Sequence, residues 1–322
     1  MGLKKISELL YNQSLSEAIK EKSEKVILIV AILSFTVHLA IIALVNLNII
    51  AIVEPSNLLT NPIAAIYTPF SFILVYEVYL LIYFLPKSTS NYISKQYEII
   101  ALIIIRRLFK DFSDVSLTVN WFNNSGDLQF TFDLVASVVL FYLIFLFHIQ
   151  RIKIYRPAKK TANLSSSLVK FIDAKKWIAT ALVPILVITA IYSFVDWGIG
   201  VIKPIESNHV SFKNINNIFF EQFFSILIIA EVVILLFSFF YTDEFHKVIR
   251  NSGFIISTIL IRISFSVSGL VNTVLIVSAV LFGLLMLFIH NKYEKMIAEK
   301  IEGKNEIGEK LSNENLWSST ST

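Results

Sequence analysis

The sequence predicts an all-α fold: a polytopic membrane bundle of about eight helices, arranged as a parallel tandem duplication of a four-helix unit. Three observations lead there. Of the 322 residues 55% are apolar and the mean hydropathy is +0.69, leaving too few polar side chains for a water-facing surface. Several apolar runs reach the ~20 residues that a helix needs to cross a bilayer. A proline or its neighbourhood, a glutamate, an arginine and a histidine then recur in one order in the two halves.

Six spans are uninterrupted: 26–53, 66–86, 131–149, 177–202, 218–241 and 269–290. Two more, 92–115 and 249–268, carry Arg106 with Arg107 and Arg262, and each fits between an inner loop and an outer turn. These spans divide the chain into an N-terminal segment 1–25, a first membrane repeat 26–150, a basic linker 151–176, a second repeat 177–291 and a tail 292–322. Leu3, Ile6, Leu9, Leu10 and Ile19 share helical spacing, so segment 1–25 is expected to lie along the inner membrane surface. It lacks the basic region, short apolar core and small-residue cleavage site of a secretory signal, so the first span is expected to be retained. The tail starts as a charged helix and ends in a Ser-, Asn- and Thr-rich stretch expected to lack structure.

Of the 28 Lys and Arg, 22 fall in the N-terminal segment, the tail and the loops 87–91, 150–176 and 242–248 with their flanks, while the opposite loops hold only Lys203 and Lys213. That bias places both termini in the cytoplasm. The richest stretch, RIKIYRPAKK at 151–160, reads as a topology anchor. The same placement assigns the net charge of +4 to topology, and no nucleic-acid partner is expected. Without cysteine the chain has no disulfide and no thiolate metal site.

The repeat is carried by short matches. IAIVEP at 50–55 resembles IGVIKP at 199–204, and FSFILVYEV at 70–78 resembles FSILIIAEV at 224–232, aligning Glu77 with Glu231. IIALIIIRR at 99–107 matches IISTILIRI at 255–263, aligning Arg106 with Arg262, and the last spans bring His148 near His290. With four helices per unit both units have one orientation, related by a pseudo-twofold axis along the membrane normal.

VYEVYLLIYF, then a short polar loop, then IIALIIIRRLFKD and a final apolar helix with basic residues after it resemble the phosphate-starvation-inducible E (PsiE) family of small four-helix bacterial membrane proteins. Both halves show this order. The second half departs from it, with one arginine for two and ISFSVSG where the first has an acidic KDFSD. The resemblance implies a bacterial inner-membrane protein linked to phosphate starvation; it implies no biochemical activity.

A carboxylate in the bilayer costs about 2.5–3.5 kcal/mol on insertion scales, so Glu77 and Glu231 should face the bundle interior and be protonated or paired. Antiparallel packing predicts the pairs Glu77 with Arg106 and Glu231 with Arg262, a guanidinium being able to give a carboxylate two parallel hydrogen bonds. Pairing argues against a proton relay, since a carboxylate beside an arginine stays charged. Arg107 and Lys110 form a candidate ion path or anion vestibule, with Asp111 and Asp114 expected to neutralise them. Asp133 and Asp196 read as hydrated boundary residues, and His148 and His290 as isolated interfacial histidines, so no metal is assigned.

No glycine-rich phosphate loop, GxSxG elbow or HExxH motif occurs, so no enzyme and no cofactor are expected. The partners are the lipid bilayer, a second copy or another membrane protein, and a small ion or anion. Two function classes stand open: a membrane protein acting in assembly, sensing or interaction, with the charge pairs as fasteners, or an ion channel or secondary transporter whose charges line a path between the repeats. A hydrated cavity at the repeat junction would distinguish the second from the first.

Overall fold

The computed structural model describes residues 2–49, 61–114, 125–152, 166–202, 212–241, 244–267 and 269–319. Among them no strand occurs, and nine α-helices follow in order: α1 (Gly2–Ser14), α2 (Glu17–Asn46), α3 (Tyr67–Phe84), α4 (Thr89–Asp114), α5 (Ser125–Ile152), α6 (Ser166–Ile202), α7 (Phe212–Tyr241), α8 (Phe245–Ser264) and α9 (Leu270–Ser319). Five stretches are long and apolar enough to cross a membrane: Glu8–Asn46, Asp127–Ile152, Val169–Tyr192, Phe223–Tyr241 and Leu270–Lys300. Thr68–Phe84 is apolar but shorter. α4 and α8 are not among these stretches and carry more charge, Lys95, Glu98, Arg106 and Arg107 on one, His246, Lys247, Arg250 and Arg262 on the other.

Both described chain ends are helical. Residues 17–25 belong to α2, because Ser16 caps it: its Oγ accepts from the Ile19 amide at 3.4 Å, and Glu17 in the first turn takes Lys20 at 3.3 Å. α1 is docked against the bundle and packs on the start of α6. Tyr79 Oη donates to the Ser14 carbonyl at 2.9 Å, Lys176 Nζ stands 5.4 Å from the Tyr11 ring, and Leu15 is buried at the bend. At the other end α9 runs through the tail as one helix to Ser319, correcting the expected loss of structure. Residues 291–319 hold no proline, and opposite charges stand a turn apart, as at Lys295–Glu299, 3.7 Å.

Successive helices from α2 to α9 run antiparallel, and their cross-contacts define two ends. At the basic end Lys175 Nζ donates to the Lys87 carbonyl at 2.6 Å, Arg151 to Asn91 Oδ1 at 3.2 Å and Asn291 to the Gln150 carbonyl at 2.6 Å. At the opposite end α8 turns into α9 through Gly269, whose φ of +78° favours glycine. Each set of four packs in the same order, α2 on α3, α3 on α4, α4 on α5, and α6 on α7, α7 on α8, α8 on α9. The sets meet where α5 packs on α9, α4 on α8 and α3 on α6.

In lipid, helices gain nothing by hiding apolar surface from one another; close packing and hydrogen bonds hold them. The junction follows that rule. Gly283 lets α9 approach so closely that a Cβ there would overlap the Tyr97 hydroxyl. Tyr97 donates to Ser257 Oγ at 2.8 Å, Ser257 donates to the Ala279 carbonyl at 2.6 Å, and Tyr97 meets Phe147 edge-on at 5.1 Å. Outward faces are apolar instead, with Ile29 and Ile32 on α2, Val138 and Tyr142 on α5 and Ile188 and Ile191 on α6 all exposed. Such faces suit a bundle surrounded by lipid.

Candidate functional site

Glu77 lies in the middle of α3 and Arg106 on the facing turn of α4. Arg106 Nη2 donates to Glu77 Oε2, while Nη1 turns to the Phe70 carbonyl at 3.5 Å and the guanidinium stands 5.9 Å from the Phe70 ring. The contact is thus single rather than a two-bond fork. Glu77 is 4% exposed, so the ion pair is sealed among α3 and α4 of the first four-helix set.

Glu231 on α7 is equally buried but has other partners. Tyr92 Oη and Gln96 Nε2, one turn apart on α4, both donate to Glu231 Oε1, and Thr258 on α8 donates to Oε2 at 2.8 Å. Gln96 also donates to the Tyr92 hydroxyl at 2.9 Å. The expected pairing with Arg262 is corrected: the α7–α8 register sets Thr258 beside the carboxylate, and Arg262, four residues on, stands about 6 Å further along the helix. Arg262 lines the cavity beside Glu231 instead.

That cavity lies among α4, α7 and α8, against residues of both sets. Gln96, Glu231, Thr258 and Arg262 give it polar walls; Ile100, Phe224, Leu227 and Ile261 give it apolar ones. At about 20 Å³ it has room for one water molecule or one small ion. Gln96 Oε1 is buried and accepts no hydrogen bond, so the site holds an oxygen whose bonding capacity is unused.

A second buried charge pair closes the end opposite the basic one. Arg107 Nη2 donates to Asp133 Oδ1 at 2.7 Å and its Nε approaches Oδ2 at 2.6 Å, off the hydrogen-bond axis. Thr273 donates to the same Oδ1 at 2.7 Å, Gln129 at 3.0 Å, and Arg107 Nη1 donates to Asn272 Oδ1 at 2.6 Å. Asp133 is fully buried and pairs with Arg107, correcting its reading as a hydrated boundary residue. The side chains of Lys110, Asp111, Asp114 and Asp196 lie outside the described residues. Pro55 and Pro204, which end the matched stretches IAIVEP and IGVIKP, lie outside them too.

The two histidines are not isolated. His148 Nε2 meets Glu98 Oε1 at 3.0 Å, and Glu98 also takes Lys95 at 2.5 Å. His290, buried on α9, stacks on His246 of α8 with ring centroids 5.3 Å apart, and Glu294 lies 2.9 Å from His246 and 3.8 Å from His290. Their separation in the chain hid this cluster: His246 stands 44 positions before His290, and only the α8–α9 hairpin joins them. The signal within reach was the four-residue spacing of His290 and Glu294, which sets both on one helix face. Tyr92 and Gln96 carried the same spacing signal.

Comparison with protein-family models, curated proteins and solved structures found no match to this chain.

Proposed function

We propose that this is a multi-pass protein of the cell inner membrane, built of two related four-helix units of PsiE type, whose Glu231 site takes up and releases a small monovalent cation, a proton or an alkali ion. The carrying observation is Glu231 itself. It is a buried carboxylate whose donors, Tyr92, Gln96 and Thr258, are all neutral, and it lies on a one-water cavity where the two helix sets meet. Its bonded donors carry no charge, so beside the Arg262 guanidinium that lines the same cavity, a proton or metal cation can balance the carboxylate. The hydroxyls of Tyr92 and Thr258 and the amide oxygen of Gln96 are hard oxygen ligands of the kind such cations take.

The duplication is supported by the equal packing order of the two sets and by the cross-contacts of like helices, α4 with α8 and α5 with α9. The excess of Lys and Arg at one end supports cytoplasmic termini. On this reading no enzymatic chemistry is involved. Assembly as the second function is favoured by one observation, the Glu77–Arg106 pair sealed within the first set, which acts as a fastener.

The test is ion uptake by the purified protein in liposomes under an imposed membrane potential, read with a pH dye and, separately, with a sodium or potassium dye. Uptake of one of these ions is expected for the wild type and loss of at least about tenfold for Glu231→Gln. Wild-type vesicles that match empty ones in every arm would overturn the reading and leave assembly. Uptake undiminished in Glu231→Gln would remove the site.

A further inference from the structure

We propose that His246, His290 and Glu294 form a binding site for a divalent transition-metal ion such as Zn²⁺ at the basic end of the α8–α9 hairpin. The site is separate from Glu231. Two imidazoles and a carboxylate are a ligand set that zinc and its neighbours accept. At ligand distances near 2.1 Å, the donor atoms of a tetrahedral site stand about 3.4 Å apart. Here Glu294 Oε1 lies 2.9 Å from His246 Nε2 and 3.8 Å from His290 Nε2, and all three donor atoms lie within 4.8 Å of one another. Closing on a metal therefore needs shifts below an ångström for the carboxylate contacts. A second carboxylate, Glu244, has Oε2 at 3.4 Å from His246 Nε2 and can fill the fourth corner, or water can.

Backbone geometry holds the donors before any metal arrives. His290 and Glu294 are four residues apart on α9, so they share one face, and the His246 ring stacks on the rings of His290 and Tyr293, with centroids 5.3 and 5.4 Å away. Arg250 adds the chemical argument. Its Nη1 lies 2.8 Å from His290 Nε2, and since a guanidinium only donates, Nε2 presents its lone pair. This is the tautomer a metal requires. His246 Nε2 instead donates its N–H to the carboxylates of Glu294 and Glu244, so metal binding there displaces that proton to solvent. Arg250 also competes for that lone pair, and its charge opposes a second cation. Its Nε and Nη2 rest on Asn251 Oδ1 at 3.2 and 3.0 Å, so Nη1 alone has to yield.

Co²⁺ is the probe, because in a tetrahedral His-carboxylate site it absorbs in the visible, and the chain has no cysteine to compete. Tag-free, full-length protein in detergent is titrated with Co²⁺, then with Zn²⁺ to displace it. One equivalent should give the visible bands, and His246→Gln or Glu294→Gln should weaken binding by about tenfold or more. His290 is deeply buried, so the more exposed Glu294 carries the test if His290→Gln does not fold. Arg250→Gln should tighten binding severalfold by freeing the lone pair. Bands absent from wild type and Arg250→Gln alike would overturn the proposal. Bands of unchanged midpoint in both His246→Gln and Glu294→Gln would do so as well.

Discussion

Thr258 Oγ1 donates to one oxygen of Glu231 at 2.8 Å while Tyr92, from α4, donates to the other. The carboxylate thus ties α7 to α8 within its own set and to α4 of the other. Glu77, which stands in a similar apolar stretch of the first set, makes one ion pair to its nearest neighbour helix. The two glutamates share a sequence setting and differ in office, one a fastener and one a junction.

Breaking the fastener should be costly. Removing one member of a buried pair leaves an uncompensated charge, at about 3–5 kcal/mol, whereas an apolar replacement of both is often near neutral. Unfolding in mixed micelles should show Glu77→Gln and Arg106→Met each strongly destabilised and the double variant partly restored. Simple addition of the two losses would show that they are not partners.

The same cycle on Glu231 should isolate Thr258 rather than Arg262. Thr258→Val deletes a donor to a buried carboxylate and should cost about 1–3 kcal/mol, an effect that largely vanishes when Glu231 is already Gln or Leu. Glu231→Gln with Arg262→Met should couple less than Glu231→Gln with Thr258→Val. Stronger coupling to Arg262 would restore the pairing expected from the repeat.

Arg107 and Asp133 join α4 to α5, and Asn272 and Thr273 bring α9 to the same point. Asp133→Asn should therefore destabilise the protein by about 3 kcal/mol, as for a buried pair losing one charge. Arg107→Met in the same chain should recover part of that loss. Thermal denaturation of the single and double variants checks it.

Gly283→Ala tests the junction by size alone. The added Cβ overlaps the Tyr97 hydroxyl, so the Tyr97–Ser257 hydrogen bond must break or α9 must move out, at about 1–3 kcal/mol. Tyr97→Phe in the Gly283→Ala background should relieve part of this loss. Stability in detergent, compared across the four chains, gives the answer.

The eight helical segments could be read from apolar runs, because length and hydropathy act locally along the chain. Glu77 with Arg106 could be read too, since both lie on consecutive antiparallel helices and the depth of each follows from residue count. Glu231 could not. Its partners depend on a register difference of one helical turn between α7 and α8, and on Tyr92 and Gln96 about 135–139 positions earlier, reached only through packing of the two sets. Asp133 was misread for a related reason: a carboxylate near a span end is hydrated when alone and buried when an arginine from another helix arrives. Composition fixes how many charges must be hidden, and packing decides which charge hides which.

The central claim is that Glu231, and not Glu77, exchanges a cation. A hydrophobic carbodiimide adds to a protonated carboxyl group, so reaction of the lipid-reconstituted protein followed by peptide mass spectrometry reads that exchange residue by residue. An adduct is expected on Glu231 that fades as the pH rises, or as the transported alkali ion is added, with Glu77 left unmodified because Arg106 Nη2 occupies its Oε2. Labelling of Glu77 at the level of Glu231, or a Glu231 that stays unlabelled across the pH range, would contradict it.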